Sequence, residues 1–113
     1  METDLDKRFQ DTIEELSQQF GEELDMKGVL FLIGVEELGK GPQRFKKDDK
    51  INLMHVAICK LLEPYGYYSY KGLDQDGWPH FTFDDQLPRL SAEQQDRLIK
   101  EAIIEYFEQR GIK

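Results

Sequence analysis

Val29-Leu30-Phe31-Leu32-Ile33-Gly34-Val35 is the stretch on which the fold turns. It is apolar on every side of a helical wheel, so periodicity alone does not separate a buried helix from a central strand. The flanks favour helix. Asp25 is a good N-cap residue, Glu36-Glu37-Leu38 are strong helix formers, and Gly39 stands where helices commonly end in a left-handed residue. Gly28 and Gly34 pull the other way, because glycine inside a helix is about 1 kcal/mol worse than alanine. The segment is read as a buried central helix. The alternative is a strand over 29–35, which would give an α+β chain with a three-stranded sheet.

Upstream, Leu5, Phe9, Ile13, Leu16, Phe20 and Leu24 recur at steps of three and four, with acids on the opposite face. A helix over 4–24 follows, with Thr3 and Asp6 as its capping box. Downstream, Gly39-Lys40-Gly41-Pro42 is a loop. Asp48 or Asp49 then caps a third helix that stops before Pro64, with Ile51, Met54, Ile58, Leu61 and Leu62 on its apolar face.

Between Tyr65 and Asp85 the pattern changes to aromatic and β-branched residues around Asp76-Gly77, the favoured dipeptide of a tight hairpin turn. Hairpin arms are expected near 66–71 and 79–84, with Pro79 at a strand start or on an edge. Ser91 and Gln94 form a second capping box. Leu98, Ile99, Ala102, Ile103, Tyr106 and Phe107 make the last core stripe, and Gly111 ends that helix. The expected fold class is mainly α (α+β): three to four helices around a hydrophobic central helix, with one β-hairpin, in a single domain over 1–113.

The 113 residues are enough for one core without staples. Cys59 is the only cysteine, so an internal disulfide is ruled out and a reducing, cytoplasmic setting is expected. The acidic start and the short apolar run argue against a secretory signal or a membrane span. The net charge of −8 disfavours a nucleic-acid partner. Charge is uneven along the chain. Residues 1–25 hold nine acids against Lys7 and Arg8, whereas residues 40–50 hold five basic residues against Asp48 and Asp49. A solvated loop beside solvated helices accounts for this; an anion or acidic-partner patch is the functional alternative.

Few constellations carry chemistry. His55 and Cys59 are four apart and share a helix face. A zinc site needs three or four ligands, and His80 is the only other histidine, so a core-edge histidine beside a small buried thiol is the preferred reading. Asp74-Gln75-Asp76-Gly77 does not make a calcium loop, since Gly72 and Phe83 occupy key ligand positions. No phosphate-binding glycine loop is present, and no cofactor is expected. The densest cluster is Tyr65, Tyr67, Tyr68, Tyr70, Trp78 and His80, holding four of the five tyrosines and the only tryptophan. Hairpin packing explains part of it. Alternation along a strand keeps Tyr67 off the side of Tyr68 and Tyr70, so some rings are expected to stay exposed.

Leu30 to Gly39, Leu53-Met54-His55, Leu62 to Tyr68 and Gly72 to His80 together resemble a family of small bacterial proteins that has no assigned activity. The resemblance covers the middle half of the chain and marks Tyr65 to His80 as its signature-like part. It implies a cytoplasmic location and transfers no functional residue.

Three functions fit these residues. The first is a non-enzymatic domain that binds a protein partner or a second copy through the aromatic hairpin. The second is a small enzyme or ligand-binding protein with a pocket lined by His55, His80, Tyr68 and Trp78, with Asp74 nearby. The third is an accessory subunit in which all these residues serve packing. The first is preferred.

Overall fold

The computed structural model describes residues 3–41 and 43–110. Its elements, in order, are α1 (Asp4–Phe20), α2 (Met26–Leu38), α3 (Lys47–Leu62), a 3₁₀ turn (Glu63–Tyr65), β1 (Tyr68–Leu73), β2 (Pro79–Phe83) and α4 (Ala92–Gln109). The class is thus mainly α with one antiparallel hairpin. They fall into two compact units: Met1–Asp25 with Arg89–Lys113, and Met26–Pro88.

In the first unit, both helices open on capping boxes. The Thr3 hydroxyl accepts from the Asp6 N–H at 3.1 Å, and the Asp6 carboxylate accepts from the Thr3 N–H at 3.2 Å. Ser91 and Gln94 exchange the same pair of bonds at 3.1 and 2.9 Å. α1 stops four residues earlier than the stripe predicts, because Gly21 adopts φ 74 and breaks the helix. Leu24 is nonetheless buried, and its N–H donates to the Ser17 hydroxyl at 3.0 Å. Phe20, expected inside, is 50% exposed. Phe9, Ile13 and Leu16 of α1 are buried, as are Ile99, Ala102, Ile103, Ile104, Tyr106 and Phe107 of α4. Lys100 joins the two helices through Asp6 at 3.1 Å and also holds Asp96 at 3.0 Å. Gly111 lies outside the described residues.

In the second unit, residues 29–35 are helical, and the sheet has two strands. The strand alternative for this segment is therefore set aside. Gly39 ends α2 at φ 74, its N–H donating to the Val35 carbonyl at 3.2 Å. Gly34, which argued against helix, is where α2 meets α3. A Cβ built there would lie 2.2 Å from the Leu53 carbonyl oxygen and 2.9 Å from the Leu53 Cβ. The missing side chain lets the helices approach until one backbone touches the other.

That approach sets the rotation of α3. Leu53, Val56, Ala57, Cys59, Leu61 and Leu62 are its buried residues. The expected stripe was Ile51, Met54, Ile58, Leu61 and Leu62; Ile51 is instead 58% exposed, and Met54 and Ile58 are half-buried. Neither Asp48 nor Asp49 caps the helix. The N-cap is Lys46, without a side-chain bond, and both acids sit in the first turn, where they complement the helix dipole. Pro64 stops α3, and a single 3₁₀ turn leads to Gly66 at φ 88 and so to the hairpin.

The hairpin arms lie at 68–73 and 79–83, with Pro79 opening β2 as expected. The turn differs from the two-residue form suggested by Asp76-Gly77. That form needs positive φ at both central residues. Gly77 has φ 83, but no non-glycine among the described residues has positive φ. The loop has three residues, 75–77: the Gly77 N–H donates to the Asp74 carbonyl at 3.0 Å, and the Asp74 N–H donates to the Trp78 carbonyl at 2.9 Å. No helix among the described residues is long and apolar enough to cross a membrane.

Candidate functional site

Asp74 organises the turn. Its Oδ1 accepts from the N–H groups of Asp76 and Trp78 at 2.9 and 3.0 Å, and its Oδ2 lies 2.9 Å from His80 Nε2. The Trp78 N–H, then His80, hold the Asp74 carboxyl below the usual carboxylate range. An ionised carboxylate only accepts, so His80 is the donor in that contact.

Strand register sorts the side chains. Tyr68 faces Phe83, Tyr70 faces Phe81, and Leu73 faces Pro79. With two-residue alternation these six share one face, while Ser69, Thr82 and His80 fall on the other. The register shifts between Tyr70 and Gly72, leaving Lys71 as the extra residue of a bulge. Tyr68 and Phe83 rings meet edge-on at 5.3 Å, and Tyr70 and Phe81 at 5.6 Å. α3 covers only part of this face, chiefly where the His55 and Tyr68 rings meet at 6.4 Å. Tyr70, Leu73 and Phe83 remain 50%, 63% and 52% exposed.

A cleft of about 390 Å³ runs beside this face. Asn52, His55 and Cys59 of α3 line one side, and Trp78, His80 and Phe81 the other. The two histidines thus share one cavity wall to wall. His55 Nε2 lies 3.5 Å from Cys59 Sγ. Burial pushes the Cys59 thiol up to about 11, and the Tyr68 hydroxyl that contacts it is also raised, first by its own burial. A thiol this high stays protonated at neutral pH, and nucleophilic attack needs the thiolate. The cleft can therefore hydrogen-bond and make apolar contact, but Cys59 is not an activated nucleophile. Among the described residues no cluster of three or more His, Cys, Asp or Glu is placed to hold a metal.

The structure separates the aromatic cluster that the sequence groups. Tyr68 and Tyr70 lie on the apolar face, while Trp78 and His80 line the cleft. Tyr65 sits half-buried in the 3₁₀ turn, and Tyr67 is half-buried ahead of β1, its carbonyl accepting from the Asp84 N–H at 2.9 Å. Three residues of the exposed face, Leu73, Phe81 and Phe83, were not among the expected site residues. Phe81 and Phe83 alternate with His80 and Thr82, a period-two signal that does put them on one side. Leu73 joins them only through the Lys71 bulge, which no pattern in the chain announces. No family model, curated protein or solved structure matches this chain.

Proposed function

We propose that this chain is a non-enzymatic protein-binding domain that uses the aromatic face of its hairpin, acting in the cytoplasm. The observation that carries the reading is the shared exposure of Tyr70, Leu73 and Phe83 on one strand face. Apolar side chains gathered in this way mark contact surfaces more often than isolated ones do, and aromatic residues are enriched at interfaces. A lone two-stranded sheet has too little surface to cover its own face. The single, unpaired Cys59 supports a reducing compartment.

The test is the double variant Tyr70→Ser/Leu73→Ser. Both side chains are exposed, so the helical circular dichroism should be unchanged. Partners held by the parent chain, or self-association at high concentration, should be lost. Identical partners and identical mass in the folded variant would sink the reading. A small-ligand or enzymatic site in the cleft is the second reading, favoured by the convergence of His55 and His80. It predicts that a His55→Ala/His80→Ala chain loses a bound small molecule while keeping its protein partners.

A further inference from the structure

We infer that the cleft beside β2 is a strand-addition groove, which takes an extended segment of a partner protein whose apolar residues are interspersed with Lys or Arg. The inference rests on the reading of this chain as a protein-binding domain and names the partner's chemistry.

The first argument is the backbone. The bond from the Asp84 N–H to the Tyr67 carbonyl fixes one end of the ladder, and the bond from the Asp74 N–H to the Trp78 carbonyl fixes the other. In an antiparallel pair, hydrogen-bonded and non-hydrogen-bonded positions alternate. Counting from either end, Trp78, His80, Thr82 and Asp84 point their backbone groups at β1. Pro79, Phe81 and Phe83 point theirs outward. The outer edge of β2 thus offers two N–H donors and three carbonyls. Pro79, which has no N–H, occupies an outward position, where its missing donor leaves the hairpin intact.

The second argument is that the two edges are treated differently. β1 carries Lys71 and a bulge at that residue, both of which discourage an added strand. β2 reads Pro-His-Phe-Thr-Phe, without Lys, Arg, Asp or Glu, and its one histidine points its backbone groups at β1. Its outer side is also where the cleft lies, because β1 contributes nothing to the lining. A strand laid along β2 would run between that edge and α3, with Asn52 and His55 within reach on the helix and Trp78 at the turn end. Main-chain bonds would supply general affinity, and alternate side chains would enter the apolar wall.

Charge selects the occupant. The lining includes the carboxylate of Asp49, together with that of Asp74, which the turn and His80 already engage, and no Lys or Arg. A second copy laid edge to edge on β2 would bring its own Asp49 and Asp74 against the same two carboxylates. A basic-apolar segment from another protein is complementary, and two copies are not.

The experiment pans a display library of short linear peptides against the whole chain, then follows the selected peptides by the fluorescence of Trp78, the only tryptophan. Selected peptides should alternate apolar residues with Lys or Arg and weaken with salt. They should also slow amide exchange at Phe81 and Phe83 but not at Thr82, which is already bonded to β1. Phe81→Pro, which removes an outward donor, should weaken binding about tenfold, the size of one hydrogen bond lost from a dry groove. Asp49→Asn should weaken it severalfold and flatten the salt dependence. Exchange on the parent chain decides the matter even if Phe81→Pro fails to fold. No enriched peptide, enriched acidic peptides, or binding without protection at Phe81 and Phe83 would overturn the groove. So would a dimer of the chain alone that protects those amides. Tyr70 and Leu73 do not line the groove, so Tyr70→Ser/Leu73→Ser should keep these peptides. If that variant loses partners while the library yields nothing, the groove inference fails and the proposed function stands.

Discussion

Each of the two compact units has its own internal means of cohesion. The pair α1 and α4 is assembled from rules that act at the surface: two capping boxes, an amphipathic stripe on each helix, and Lys100 between Asp6 and Asp96. Its residues carry fourteen acids against seven bases, so nearly all of the net charge of −8 sits there. The unit from Met26 to Pro88 carries nine acids against eight bases. It depends on interior fit, with Gly34 against the Leu53 backbone, and on one aspartate that ties a turn. The lesson is that net charge and close packing are divided between the units, and the exposed apolar face lies on the unit with almost no net charge.

If close approach governs the second unit, Gly34→Ala should have the largest effect of any conservative change. Alanine would gain up to about 1 kcal/mol in helix propensity. Its Cβ, however, would meet backbone atoms of Leu53 well inside contact distance, and backbone cannot rotate aside. Overpacking of this kind costs about 1–3 kcal/mol or more. The expected net loss is about 2 kcal/mol, read from denaturant unfolding, with amide protection falling in α2 and α3. A neutral or stabilising outcome would mean that the helices are not pressed together at Gly34, and the contrast between the units would weaken.

A second effect, confined to alkaline pH, should come from Cys59. Burial raises this thiol from 9.0 to about 11. The folded state therefore favours the protonated form. The stability this contributes is complete below the unfolded value and is lost as pH climbs from 9.0 towards 11. Thiolate absorbance should appear in the folded chain near pH 11, and the stability of the parent should fall between those limits more than that of Cys59→Ala. A thiol that alkylates readily at neutral pH would show the interior of this unit to be open.

What could be read from the chain follows the same division. In the charged unit, Thr3 with Asp6 and Ser91 with Gln94 announced both helix starts, because capping is a local code written within four residues. The hairpin was legible for a similar reason, since aromatic alternation and a glycine turn are local. The apolar face of α3 was not. Its inward side depends on Gly34 thirteen or more residues away, and small residues such as Ala57 and Cys59 look unlike a core stripe. The helical state of Val29 to Val35 was favoured by its flanks, yet the glycine that counted against it proved to be the packing contact. Of the candidate site, Tyr68, Tyr70, Trp78, His80 and His55 were visible by composition. Their division between an exposed face and a cleft required the strand register, which the three-residue turn and the Lys71 bulge set together.

The smallest effect belongs to the caps, and it is also the sharpest test of the contrast. In Ser91→Ala the Gln94 N–H loses its side-chain acceptor, and the Gln94 side chain loses half of its reciprocal arrangement. Loss of an N-cap hydroxyl costs about 1 kcal/mol. The site is exposed, so water replaces part of the bond, and nothing in the interior has to move. The expected change is therefore about half that of Gly34→Ala, with faster exchange confined to the first turn of α4. Ser91→Asp should recover most of the loss, because aspartate is an equally good N-cap and its charge complements the helix dipole. A Ser91→Ala chain as unstable as Gly34→Ala, and not rescued by Asp, would place Ser91 within a packed contact and remove the distinction between a unit organised at its surface and one organised in its interior.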